Sequence, residues 1–197
     1  MKVERNDVFE TNSSSMHSLS IKGYHPRKQW SDDYFIDLKI KNNILTVKPV
    51  VILNKETKIT GFGEKISYLI QAAMDRFIYN KGKIMYGAVD DYIDEFVRTR
   101  DYRMIENGAN SVLSRAGKLK RDRKSEKTWT KLYPKHPAIP LYFWTTIDVA
   151  SAFNKKDGNL HSSIDFDIGV PFEDMTGRMS VYDILDNPNV VITVLPQ

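Results

Sequence analysis

Phe35–Pro49 reads FIDLKIKNNILTVKP, and its pattern decides the fold class. Ile36, Leu38 and Ile40 alternate with polar residues, Asn42-Asn43 interrupts, and Leu45 and Val47 alternate again. Side chains along a strand point to opposite faces in turn, so a period of two marks two half-buried strands rather than a helix. Asparagine tolerates the positive φ that a two-residue hairpin turn requires. A turn at Asn42-Asn43 sets Ile40 opposite Leu45 and Leu38 opposite Val47, with both pairs on one face. Val50–Leu53 is a candidate extension of the second strand past Pro49.

The signals on either side of the hairpin are mixed. Val8–Glu10 and Leu19–Ile21 read as short strands around a polar stretch, Thr11–His17. Gly61–Gly63 precedes a helix over Glu64–Asn80, where Ile66, Leu69, Ile70, Ala73 and Phe77 recur at helical spacing. A second helix spans Ala88–Arg100, with Val89, Ile93, Phe96 and Val97 on one stripe. Its early Asp and Glu and late Arg98 and Arg100 suit the helix dipole. Nothing breaks it before Asn107-Gly108, so it extends as far as Ile105. Leu141–Trp144 is an apolar strand candidate. Thr145-x-x-Asp148 reads as the cap of a helix through Phe153. Asp157-Gly158 makes a turn, Ser162–Ile168 alternates as a strand, and Ser180-x-x-Asp183 caps a short helix before Pro188. Val190–Leu195 is a final strand buried on both faces. This order lacks a repeated βα alternation. It predicts an α+β fold, with a mainly antiparallel sheet, two central helices and short C-terminal helices, in a single domain over residues 1–197.

Composition narrows the function. The 197 residues include no cysteine, which excludes disulfide scaffolds, Cys-ligated metal centres and thiol enzymes. A hydrophobic fraction of 41% excludes a disordered chain. Met1–Glu10 carries charges where a signal peptide needs an apolar core, and no apolar run is long enough to span a bilayer. The expectation is a soluble cytoplasmic protein, with no membrane partner, cofactor or metal.

The net charge of +4 is unevenly placed. Ser111–His136 holds nine basic and two acidic residues, whereas Pro137–Gln197 holds three basic and eight acidic ones. The basic segment reads as a loop, an extended arm or a surface helix. In it Arg115, Lys118, Lys120, Arg121, Arg123, Lys124, Lys127, Lys131 and Lys135 are interleaved with Trp129 and Tyr133. Cations for phosphates and aromatic faces for bases are the ingredients of nucleic-acid binding. The same charge also suits an acidic partner protein or neutralisation by the chain's own acidic third.

Thr11-Asn12-Ser13-Ser14-Ser15-Met16-His17-Ser18 places seven hydrogen-bonding side chains in eight residues. Such residues favour turns and caps, and their hydroxyls and neighbouring backbone N–H groups can converge on a phosphate. Thr11, Asn12, Ser13, Ser14, Ser15 and Ser18 are the candidate phosphate ligands, with His17 adding a donor or a proton. Val8–Leu19, VFETNSSSMHSL, resembles the N-terminal FETNSSSxHS signature of a group of bacterial and bacteriophage proteins with no established activity. The resemblance covers about a dozen residues of this chain. It implies a prokaryotic or phage origin and no catalytic assignment.

Four further motifs are candidates for chemistry. His161-Ser162-Ser163-Ile164 fits the H-x-[ST]-x motif of the two-histidine phosphoesterases, which place two such motifs on neighbouring strands. The partner would be His17, and there Leu19 occupies the hydroxyl position; His17 and His161 are then the candidate acid and base. Asp37-Leu38-Lys39, near Asp32 and Asp33, resembles the (D/E)xK step of metal-dependent nucleases, and strand alternation explains it equally well. Asp165-x-Asp167 puts two carboxylates on one strand face. Gly61–Lys65 lacks a full phosphate-loop pattern and reads as a helix entry. Three functions follow. The first is an accessory protein binding a polyanion, nucleic acid foremost, through Ser111–His136 and the Ser-rich turn. The second is a phosphoesterase-like or nucleotide-acting enzyme using His17 and His161. The third is a phage protein that inhibits a host factor or forms part of a virion.

Overall fold

The hairpin around Asn42-Asn43 forms in the predicted register, with Ile40 paired to Leu45. Both asparagines adopt positive φ, 51° and 60°, as a tight two-residue turn demands. The computed structural model describes residues 7–9, 15–21, 30–51, 55–82, 89–136, 139–164, 166 and 179–196. In chain order these build β1 (Asp7–Phe9), β2 (Ser15–Ile21), β3 (Lys39–Lys41), β4 (Ile44–Thr46), β5 (Thr57–Ile59) and α1 (Phe62–Asn80). There follow α2 (Ile93–Phe96), α3 (Arg100–Arg115), α4 (Arg123–Leu132), β6 (Thr146–Ile147), β7 (Asn154–Lys156), β8 (Asn159–His161), α5 (Val181–Asp186) and β9 (Val190–Pro196).

The fold is α+β. Its largest sheet is antiparallel, in the order β1-β2-β9-β5. β9 has a strand on each side, and Val190, Val191, Ile192 and Val194 are all buried, so both of its faces are covered. β2 pairs with β9 from Ser15 to Ile21, and this corrects the expected turn: Ser15–Ser18 is strand. A full-length partner overrides the weak strand preference of Ser and His. In the second sheet β4 pairs with β3 on one side and runs parallel to β6 on the other. β3 is thus an edge strand with all three residues exposed, while Leu45 on β4 is fully buried. Ile36 does not join the hairpin face. It caps a 3-10 turn over Asp32–Phe35 and is 73% exposed.

Helix α1 is the central element, buried along most of its length by Phe62, Ile66, Leu69, Ile70, Ala73 and Met74. Glu64 reaches back to accept from the amides of Thr60 and Gly61, satisfying donors that a helix start leaves orphaned. Gly63 lets this end lie against the hairpin, because a Cβ there would sit 3.2 Å from Leu38 Cδ2. Polar side chains on α1 tether its neighbours. Ser67 donates to the Lys48 carbonyl, and Gln71 donates to the Ala152 carbonyl while accepting from the Ser163 amide. Lys65, fully buried, closes the end of α5. Its Nζ lies 3.2 Å from the Ile184 carbonyl, 2.9 Å from that of Asn187 and 3.1 Å from Tyr34 Oη. Tyr34 donates to the Leu185 carbonyl and Trp30 Nε1 to that of Asp186. Four successive carbonyls at a helix end are thereby satisfied by three side chains. Burial pulls the Lys65 amine down to about 7.

The second predicted helix is divided. Thr99 Oγ1 donates to the Phe96 carbonyl and accepts from the Tyr102 amide, ending α2 and starting α3 in one residue. Asn107-Gly108 does not stop α3. A Cβ at Gly108 would lie 3.3 Å from Val181 Cγ1 and 3.5 Å from Leu185 Cδ1, so glycine serves the close approach of α5 rather than a break. The helix expected over Thr145–Phe153 does not form either. Thr146 and Asp148 donate to the Asn43 and Leu45 carbonyls in the β4–β6 pairing, leaving only a 3-10 turn at Val149–Ala152. Asp157-Gly158 turns as predicted, but between β7 and β8, and Ser162–Ile164 has left the strand. Ser180 caps α5 as expected. The buried apolar residues form one cluster running from Tyr34 to Val194.

Candidate nucleic-acid interface

The basic segment is neither a loose arm nor wholly neutralised. Arg115 ends α3, and Gly117 turns the chain with φ +68°. Residues 120–122 then pair briefly with 141–143. The Asp122 amide donates to the Leu141 carbonyl and the Phe143 amide to that of Lys120, with Arg121 opposite Tyr142. Asp122 caps α4, accepting from the Ser125 amide at 3.1 Å and hydroxyl at 2.6 Å. These two bonds hold the Asp122 carboxyl below its ordinary range. The positive end of α4 is therefore already occupied by a carboxylate.

The structure divides the predicted cations into two groups. Arg115 pairs with Asp186 at 3.0 Å and packs over the Trp30 ring. Lys118 bonds Asp32 at 2.7 Å, lowering that carboxyl, and lies over the Phe35 ring. Arg121 forks onto Glu126 Oε1 at 2.9 and 3.0 Å, and the same oxygen accepts from the Leu141 amide. These three cations have structural partners. Among the described residues Arg123, Lys127 and Lys131 have none, and the Lys124 side chain is engaged only by its charge acting on the Asp122 carboxyl. At 100° per residue the four share one face of α4, and all are exposed with no ion pair among the described residues. The opposite face, Ser125, Glu126 and Trp129, is half-buried, so the helix is held by its back and shows its charge outward. Lys120 and Lys135 are likewise exposed.

The predicted aromatics differ from one another. Trp129 belongs to the packed side of α4, 4.5 Å from the Tyr133 ring centroid, and its indole N–H is buried without an acceptor among the described residues. Tyr133 is 45% exposed. Sequence reasoning missed a second pair. Phe143 and Trp144, expected in an apolar strand, are 38% and 51% exposed. Tyr142 faces inward and Phe143 outward, and Thr145 and Ile147 are buried on either side of exposed Thr146. The alternation slips by one residue between them and leaves two consecutive aromatics outside. The only hint in the sequence is the position of these aromatics in the short run between Pro140 and Thr145-Thr146.

The remaining predicted groups fall partly outside the described residues and partly on two sheets away from α4. Thr11, Asn12, Ser13 and Ser14 lie outside the described residues, as do Asp165 and Asp167, while Ser15, His17 and Ser18 belong to β2. His161 is on β8, which among the described residues pairs with β7, while His17 is on β2 in the β1-β2-β9-β5 sheet, so the two histidines are not on neighbouring strands. Ser163, the hydroxyl of the phosphoesterase-like motif, donates to the Val50 carbonyl. Asp37 pairs with Lys48 at 2.7 Å. Among the described residues no group of three or more His, Asp or Glu side chains could hold a metal ion, and no helix is long and apolar enough to cross a membrane. No family model, curated protein or solved structure matches the chain.

Proposed function

We propose that this protein binds a polyanion, specifically nucleic acid, through the outward face of α4. The observation that carries the reading is the separation of paired from unpaired cations. Arg115, Lys118 and Arg121 are tied to carboxylates, whereas Arg123, Lys124, Lys127 and Lys131 line one exposed helix face. Residues 123, 127 and 131 are four positions apart and so about 6 Å apart along the axis, a row suited to successive phosphates rather than to one small anion. Folding alone gives little reason to hold like charges this close, since they repel across four residues.

The test compares two variants by fluorescence anisotropy with mixed-sequence DNA and RNA at low salt. Arg123→Gln/Lys127→Gln/Lys131→Gln is expected to lose most of the affinity. Arg115→Gln, which breaks a structural pair, is expected to retain it. Equal losses in the two variants, or no binding by the unmodified protein, would refute the reading.

A further inference from the structure

We propose that the bound nucleic acid is single-stranded and that Phe143 and Trp144 form the platform on which its bases stack. This rests on the reading of α4 as a nucleic-acid interface and adds the substrate class and the residues that select it. Two adjacent exposed aromatics expose apolar surface that the core does not use, and the surrounding backbone holds them in place. On one side the Phe143 amide donates to the Lys120 carbonyl. On the other, Thr145 is buried and clamped by Asn110. Its amide and hydroxyl both donate to Asn110 Oδ1, at 2.9 and 3.0 Å, and its carbonyl accepts from Asn110 Nδ2 at 2.7 Å. Asn110 is itself fixed by donation to the Glu106 carbonyl within α3. Rings on a backbone pinned at both ends lose little freedom on binding, which is the condition for a preorganised contact.

The charge around the rings selects the occupant. Antiparallel pairing of 120–122 with 141–143 sets Lys120 directly across from Phe143, on the same face of the ribbon. Arg123 begins α4 two residues beyond the bridged Arg121, past the Leu141 end of the ribbon, so Lys120 is the cation across from the aromatic pair and the α4 row follows three residues further along the chain. Aromatic faces beside a line of cations match a strand whose bases are unstacked and whose phosphates run alongside. A duplex keeps its bases stacked on one another and offers such rings nothing to stack on. Trp129 cannot take this role, because its ring is packed against Tyr133 behind the helix.

The experiment titrates the full chain with a fluorescent oligo(dT) and with a duplex of equal length. Trp144→Ala is expected to weaken oligo(dT) binding about 5- to 100-fold and to leave duplex binding unchanged. Trp144→Phe, which keeps a ring, is expected to restore most of the affinity while abolishing the quenching of tryptophan emission by oligo(dT). The triple α4 variant is expected to weaken both ligands. Duplex binding with no effect of Trp144→Ala on oligo(dT) would overturn this proposal and leave the α4 reading standing. Absence of binding to both ligands would overturn both, and tighter binding of an acidic polypeptide such as poly-Glu than of oligo(dT) would overturn the choice of nucleic acid.

Discussion

Replacing Lys65 with methionine tests how α1 and α5 are held together, and the expected effect is a change in pH dependence. The amine is fully buried, and burial pulls it from the ordinary lysine value of 10.5 to about 7. In the unfolded chain it regains the ordinary value. Between the two values the unfolded state binds one more proton than the folded state, so stability rises with pH, and below about 7 the penalty is complete. Integrated from about pH 7 to about pH 9, the gain is about 2 kcal/mol. Glu64, the preceding residue, favours the ammonium and opposes the shift. Tyr34, Tyr68 and Tyr102 are pushed above their ordinary value by burial. Their contribution has the opposite sign and is lost as pH rises beyond about 10, so the window below about pH 9 belongs to Lys65. Urea denaturation of the native chain and of Lys65→Met measures the difference. The native chain is expected to gain about 2 kcal/mol relative to Lys65→Met across that window. Parallel curves would refute the reasoning. They would mean that the three oxygens around Nζ outweigh burial and keep the amine charged in the fold.

Other substitutions probe the frame of the interface. Asn110→Leu leaves the buried Thr145 amide, hydroxyl and carbonyl without their partner. A loss of about 3 kcal/mol or more in denaturant unfolding is expected, and an unchanged midpoint would contradict the clamp. Gly108→Leu drives a side chain into Val181 and Leu185. It is expected to destabilise by about 1–3 kcal/mol despite the better helix propensity of leucine, measured by the same unfolding assay.

What could be read from the sequence was local. The Asn42-Asn43 turn, the Ser180 cap and the doubly buried β9 each depend on residues a few positions apart, and all three appear in the structure. What could not be read depended on distant partners. Gly108 looks like a helix stop until α5 packs on it, and Thr145 looks like a cap until Asn110 claims it. Ser15–Ser18 looks like a turn until β9 pairs with it. The candidate interface divides in the same way. Ser111–His136 was visible as a basic block, because charge density needs no fold. Which cations stay unpaired follows from long-range contacts, Arg115 to Asp186 and Lys118 to Asp32, and no local pattern encodes them. Phe143 and Trp144 read as part of an apolar strand because they sit in a short apolar run, and the slip in alternation that exposes them is set by tethers on α3 and on residue 120.

The most direct test of the α4 face is the salt dependence of oligo(dT) binding. If Arg123, Lys124, Lys127 and Lys131 each neutralise one phosphate, log Kobs against log salt has a slope of about −3, or about 50-fold weaker binding between 50 and 200 mM salt. Arg123→Gln/Lys127→Gln/Lys131→Gln is predicted to bring the slope to about −1. A slope near zero in the unmodified protein, or the same slope in both, would contradict the account.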